Sequence, residues 1–183
     1  WNSRLSFGRI VRAEAQVGFT NASGLGGTLS DWLVAGQITS PAGLGIDGRL
    51  VFDDQLDVVK SEARARWTSD RLDLSAGYLF LEADPLEGRD ADVSEWTFDT
   101  EYRISDIWSV SLDTRYDVAA NDPIEAELGV GWQNECVAVD LSVSRRFTSS
   151  DNVEPSTDYG LSVELLGFST GRAGTATSTR CRN

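Results

Sequence analysis

Residues 95–118 read EWTFDTEYRISDIWSVSLDTRYDV. Their even positions hold Trp96, Phe98, Thr100, Tyr102 and Ile104, then Trp108, Val110, Leu112, Thr114, Tyr116 and Val118. Their odd positions hold Glu95, Thr97, Asp99, Glu101 and Arg103, then Ser109, Ser111, Asp113, Arg115 and Asp117. Successive side chains on a strand point to opposite faces, so this alternation specifies a β-hairpin with one apolar and one charged face. Ile104 and Trp108 share the apolar face only across an odd connection, most simply Ser105-Asp106-Ile107 with a bulge. In water the apolar face needs a core to cover it, and the chain offers no helices to build one.

Working outward, the same alternation recurs. Before the hairpin, strands are predicted at Arg4–Arg12, Asp31–Thr39, Leu44–Asp53, Leu56–Thr68 and Arg71–Leu81. After it they are predicted at Pro123–Gln133, Cys136–Phe147 and Thr157–Phe168. Three stretches rich in polar residues read as long loops: Ala13–Ser30, Glu82–Asp92 and Thr148–Ser156. Ser169–Asn183 carries almost nothing apolar and reads as a flexible tail. The result is about ten strands in meander order, each near the 9–11 residues of a tilted transmembrane strand and longer than the usual soluble strand of about 5–6.

Composition narrows the classes. The 183 residues suffice for one domain. A net charge of -13 argues against sequence-general nucleic-acid binding, which needs a basic face. No apolar run reaches the roughly 18 residues of a spanning helix, which leaves barrels open because their signal per strand is weak. The chain has no Met and no secretory signal, so a piece of a longer precursor is expected. Cys136 and Cys181 are too few for a zinc site, and two choices stay open, a disulfide or two free thiols.

Three features decide what each face meets. In a meander, alternate connections lie on the same side. All three long loops fall on one side, with tight turns near Pro41, Ser69-Asp70, Ser105-Asp106 and Asn134-Glu135 on the other, which is the outer-membrane pattern. The aromatic residues of the apolar face gather at strand ends: Trp67, Trp108, Trp132 and Phe168 toward the short turns, Trp32, Phe52, Phe80, Trp96 and Tyr116 toward the long loops. Such rings form belts at the two membrane interfaces. The opposite face carries both charges, with Glu62, Arg64, Arg66, Asp73, Asp99, Glu101, Arg103, Asp113, Arg115, Glu125, Glu127, Asp140 and Arg146, as suits a wet lumen. The expected fold is therefore all-β, an antiparallel up-and-down transmembrane β-barrel segment of about ten strands, without helices. Unpaired backbone groups cost several kcal/mol each in lipid, so these strands either close on themselves or belong to a larger barrel.

At Asn134-Glu135-Cys136, at Ser144-Arg145-Arg146-Phe147-Thr148-Ser149-Ser150 and at Gly160–Phe168 the chain resembles the C-terminal barrel of the LptD family of lipopolysaccharide (LPS) assembly proteins, its alphaproteobacterial branch above all. Ser30-Asp31-Trp32 and Gly48–Asp54 look like that branch too, and the resemblance runs from about Gly8 onward. Asp158-x-Gly160-x-x-Val163-x-Leu165 is similar to the C-terminal signal read by the barrel-assembly machinery. The resemblance implies a barrel of about 26 strands behind a periplasmic domain, here supplying residues 1–168 as its last strands. It implies delivery of LPS to the outer leaflet, a periplasmic bridge partner (LptA), a lipoprotein plug (LptE) and a lateral gate of which Thr157–Phe168 is one lip. The family also bonds a Cys pair of this region to its periplasmic domain. Cys136 matches one position, whereas Glu135 replaces the other, so the connectivity is open; by resemblance, separate bonds from Cys136 and Cys181 to that domain are expected over a Cys136–Cys181 bond.

No enzyme, cofactor or metal is expected. The chain has no His, which removes Ser/His and Cys/His nucleophile pairs. Glu125/Glu127 and Asp99/Glu101 share a face as acid–base pairs would, but lumen charge is the simpler reading. Gly24-Leu25-Gly26-Gly27 lacks the helix and Lys of a phosphate loop. The acidic loop Glu82–Asp92 lacks EF-hand spacing. Two alternatives remain: a self-contained ten-stranded outer-membrane porin or enzyme, and a soluble all-β binding module.

Overall fold

A computed structural model describes residues 1–16, 18–20, 23–148 and 154–166. Ten strands form one antiparallel sheet: β1 (Asn2–Gly8), β4 (Trp32–Thr39), β5 (Leu44–Phe52), β6 (Val58–Thr68), β7 (Leu72–Leu81), β8 (Val93–Arg103), β9 (Trp108–Asp117), β10 (Asp122–Gln133), β11 (Val137–Arg146) and β12 (Ser156–Leu165), each beside the next in that order. Two short strands, β2 (Val11–Gln16) and β3 (Gly27–Leu29), pair with each other inside the first connection. The expected all-β, up-and-down architecture is therefore present, and no α-helix occurs among the described residues.

Register follows the alternation of the sequence. Trp32 faces Phe52, Tyr78 faces Trp96, and Trp96 faces Tyr116. Leu112 lies between Thr100 and Leu128, and Leu141 between Val130 and Leu161. One face is thus mainly apolar across all ten strands, with Arg145 a charged residue on it at the end of β11. The pairs Tyr102↔Val110 and Arg103↔Ser109 set Ile104 opposite Trp108, leaving the three-residue connection Ser105-Asp106-Ile107 expected from parity. The Ser105 amide donates to the Trp108 carbonyl at 3.2 Å, and the Ser105 hydroxyl accepts from the Ile107 and Trp108 amides.

Among the described residues, nothing packs against the faces of this sheet. Among the described residues Val59, 5% exposed, is the one buried apolar side chain, while Leu128 and Leu141 in mid-strand are 52% and 57% exposed. Val59 sits where the β5–β6 register slips between Val51 and Phe52. A second slip, between Pro123 and Glu125, lies near the start of β10, where a Pro in an interior strand is tolerated. A single layer is not a two-sheet sandwich, the architecture a soluble lectin-like module requires.

Four expectations need revision. The first strand does not run from Arg4 to Arg12: it breaks after Gly8, because Arg9 turns to Asp54 while Ile10 and Ser30 exchange hydrogen bonds that open the β2–β3 ladder. The stretch Ala13–Ser30 is accordingly partly paired rather than all loop. The loop 82–92 holds a single 3-10 turn at Pro85–Glu87, capped by the Asp84 carboxylate accepting from the Leu86 amide. The two-residue turn after β10 is Glu135-Cys136, not Asn134-Glu135. Asn134 still belongs to the ladder, its amide donating to the Val137 carbonyl at 2.9 Å, and its Oδ1 accepts from the amides of Cys136 and Val137 at 2.9 and 2.8 Å. Phe168, Cys181, the tail 169–183 and residues 149–153 of the third long loop lie outside the described residues.

Candidate functional site

The polar face is concave. Side chains from β1 through β9 line one groove of about 680 Å³, among them Arg4, Gln37, Asp47, Arg49, Glu62, Arg64, Glu95, Thr97 and Arg115. Strands this far apart in a sheet share a groove only if the sheet curls around it.

Its charges are spread unevenly. On β1 to β6 the polar face carries Arg4, Arg49, Lys60, Arg64 and Arg66 against Asp47 and Glu62. On β7 to β12 it carries Asp73, Glu95, Asp99, Glu101, Asp113, Asp117, Glu125, Glu127, Asp140, Asp158 and Glu164 against Arg103, Arg115 and Arg146. Among the described residues the polar face thus has one basic sector, of which Arg4, Arg49 and Arg64 line the groove. Ion pairs neutralise part of both sectors: across strands Arg49–Glu62 at 2.5 Å, Arg66–Asp47 at 3.7 Å, Arg103–Asp73 at 3.2 Å, Arg115–Glu95 at 2.8 Å and Arg146–Glu125 at 4.0 Å, and within β6 Lys60–Glu62 at 2.9 Å. Asp113 lies directly between Asp99 and Glu127, three like charges in register, and no metal-holding group of carboxylates occurs among the described residues. Every charge singled out for a lumen in the sequence lies on this face: Arg64, Arg66, Asp99, Glu101, Arg103, Asp113, Arg115, Glu125, Glu127 and Asp140.

On the apolar face Trp108 and Trp132 lie side by side at the short-turn end, and Trp67 ends β6 on the same side, its indole N–H donating to the Ala42 carbonyl at 3.3 Å. At the long-loop end Trp32 stacks on Phe7 (4.7 Å, 9° between planes), and Trp96 leans on Tyr78 at 5.0 Å. In β12, Val163 and Leu165 continue the apolar face opposite Val139 and Val137, while Asp158 and Gly160 lie on the polar face opposite Ser144 and Ser142.

The long-loop side holds a cluster that alternation could not reveal. Arg9 donates to both carboxylate oxygens of Asp54 at 2.8 and 3.2 Å and to the Ser30 carbonyl at 3.0 Å, with its guanidinium 4.8 Å from the Trp32 ring. Ser30 is buried, and its hydroxyl takes the Ile10 amide at 2.8 Å. The hydrogen bonds from Arg9 hold the Asp54 carboxyl below its ordinary value. Burial, reinforced by Asp53 and Asp54, pushes the Asp31 carboxyl above its own. Farther out, Thr20 hydrogen-bonds Glu87, which also pairs with Arg89 at 2.6 Å, tying the first long loop to the second and lowering the Glu87 carboxyl.

No protein-family model matches the sequence, and no curated protein matches it.

Proposed function

We propose that the chain is an outer-membrane wall segment of an LPS-delivery barrel of the LptD type, working without catalysis. The observation that carries the reading is a ten-stranded single sheet whose whole apolar face is left uncovered while the charged face curls around a groove. Lipid covers such a face, water fills such a groove, and the aromatic residues at both strand ends suit the two interfaces. The long connections 9–31 and 82–92 on one side and the short ones 40–43, 69–71, 104–107 and 134–136 on the other support an outward-facing and a periplasmic rim.

Among the described residues β1 and β12 each have one neighbour, which supports a share in a larger barrel over a self-contained ten-stranded porin or enzyme. In this reading β12 is one lip of a lateral gate, and its Asp158, Gly160, Val163 and Leu165 serve recognition by the barrel-assembly machinery. LptE fills part of the lumen and LptA delivers LPS from the periplasm. In this reading Cys136, at the tip of a short turn, faces the periplasm. Depleting the protein in its source bacterium tests the reading: newly made LPS is expected to disappear from the cell surface, and unchanged surface LPS refutes it.

A further inference from the structure

We infer that the basic sector of the groove contains a phosphate-binding subsite centred on Arg4 and Arg64. Arg4, Gln37, Asp47 and Arg64 form one transverse row, because Arg4 pairs with Gln37, Gln37 with Asp47, and Asp47 with Arg64. Polar-face parity puts all four side chains on the same side, and all four line the groove. Among the described residues, Arg4 and Arg64 have no side-chain hydrogen bond or ion pair. The remaining charges that line the groove do have partners: Arg49, with Lys60 beside the groove, holds Glu62, Arg115 holds Glu95, and Arg66, also beside the groove, holds the intervening Asp47. Two guanidiniums are thus left over in a recess where every carboxylate is already claimed. Gly77, next in the row after Arg64, adds no side chain to fill the floor.

Guanidinium is the side-chain group best matched to a phosphate dianion, through paired N–H donors in a fixed fork. The Gln37 amide between the two arginines adds a neutral donor. The groove volume lies within the range of about 300–1,000 Å³ typical of small-ligand sites. The acidic sector on β7 to β12 repels the same anion and confines it to the basic side. Resting on the LPS reading, the inference names the part of the substrate this wall recognises, a phosphorylated sugar headgroup. Free inorganic phosphate shares that chemistry.

The test is a ³¹P NMR titration of the full-length protein in a maltoside detergent, which carries no phosphate, with N-acetylglucosamine 1-phosphate and inorganic phosphate, and with phosphorus-free N-acetylglucosamine added as a competitor of the sugar phosphate. Saturable binding of the sugar phosphate is expected. It should weaken about tenfold in Arg4→Gln or Arg64→Gln and vanish in the double variant. Arg103→Gln, whose partner is Asp73 in the acidic sector, should bind as the parent does. The double Lys variant, R4K/R64K, guards against misfolding: it keeps the charge and should bind more weakly than the parent but better than the double Gln variant. Tighter binding of sugar phosphate than of inorganic phosphate supports the headgroup as the source, and equal binding supports the free anion. Unchanged binding in R4Q/R64Q, or binding of N-acetylglucosamine as tight as of its phosphate, overturns the subsite and leaves the LPS reading standing. Arginine-dependent phosphate binding by a protein whose depletion leaves surface LPS unchanged keeps the subsite and overturns the LPS reading.

Discussion

Arginine placed at Leu112 should damage assembly far more than arginine at its neighbour Ser111. β9 runs ten residues, and Leu112 is in its middle, on the apolar face between Thr100 and Leu128. A strand of this length, tilted as barrel strands are, spans the apolar band of about 25 Å, so Leu112 sits near its midplane. Arginine there costs about 2–4 kcal/mol, or about 30- to 700-fold in the folding equilibrium. On a water-exposed face the same change at an exposed leucine would stay within about 0.5 kcal/mol. Ser111 points the other way, between Glu101 and Gly129, where an added guanidinium gains a carboxylate directly across the strand, worth about 0.2–1 kcal/mol. The assay is urea-dependent folding of the full-length protein into phosphatidylcholine vesicles, followed by tryptophan fluorescence. Equal losses at both positions, or no loss at Leu112, refute the assignment of faces.

Other outcomes follow from the turns and loops. Gly43→Ala should destabilise by about 1–3 kcal/mol in the same titration, since Gly43 adopts φ +83 and an added Cβ would meet the Thr68 carbonyl oxygen at 2.0 Å. Asn134→Ala should cost about 1 kcal/mol through loss of the acceptor for the Cys136 and Val137 amides. The Asp54 carboxyl is depressed in the folded state, so its pairing with Arg9 contributes above the ordinary carboxylate range and is lost as pH falls through the depressed value. Proteolysis within 18–30 should therefore stay slow at neutral and mildly acidic pH, accelerate only in stronger acid, and be fast at every pH in Arg9→Ala. Asp31 has the opposite sign. Its raised value makes the ionised form disfavoured, so Asp31→Asn should protect the same loop modestly at neutral pH, with the advantage fading as acid protonates the wild-type carboxyl.

The sheet was legible in the sequence because its signal is local: strict parity in 95–118 set both faces, the odd connection at 105–107 and the register of its neighbours. The face of each charge followed from the same parity. Partners across strands did not, because which carboxylate Arg115 or Arg103 reaches depends on side-chain lean across neighbouring strands. The Arg9–Asp54–Ser30–Trp32 cluster was illegible for a different reason. Arg9 reads as one more polar residue of a strand, and only contacts made 21 and 45 residues away reveal that the strand stops there. The turn at Glu135-Cys136 was misplaced by one residue because Asn is as much at home just before a turn, where its side chain caps the following amides, as within it. The segregation of charge between β1–β6 and β7–β12 was present in the sequence, yet it acquires meaning only when curvature gathers Arg4 and Arg64 into one groove.

The most direct test of a lipid-facing apolar wall is a nitroxide scan of β8 and β9 in the full-length protein reconstituted in phospholipid vesicles. Labels at 98, 100, 102, 110, 112 and 114 are expected to be accessible to oxygen and shielded from a water-soluble nickel chelate, with labels at 99, 101, 111, 113 and 115 showing the reverse. Equal access of the nickel chelate to both sets would contradict a membrane-facing wall.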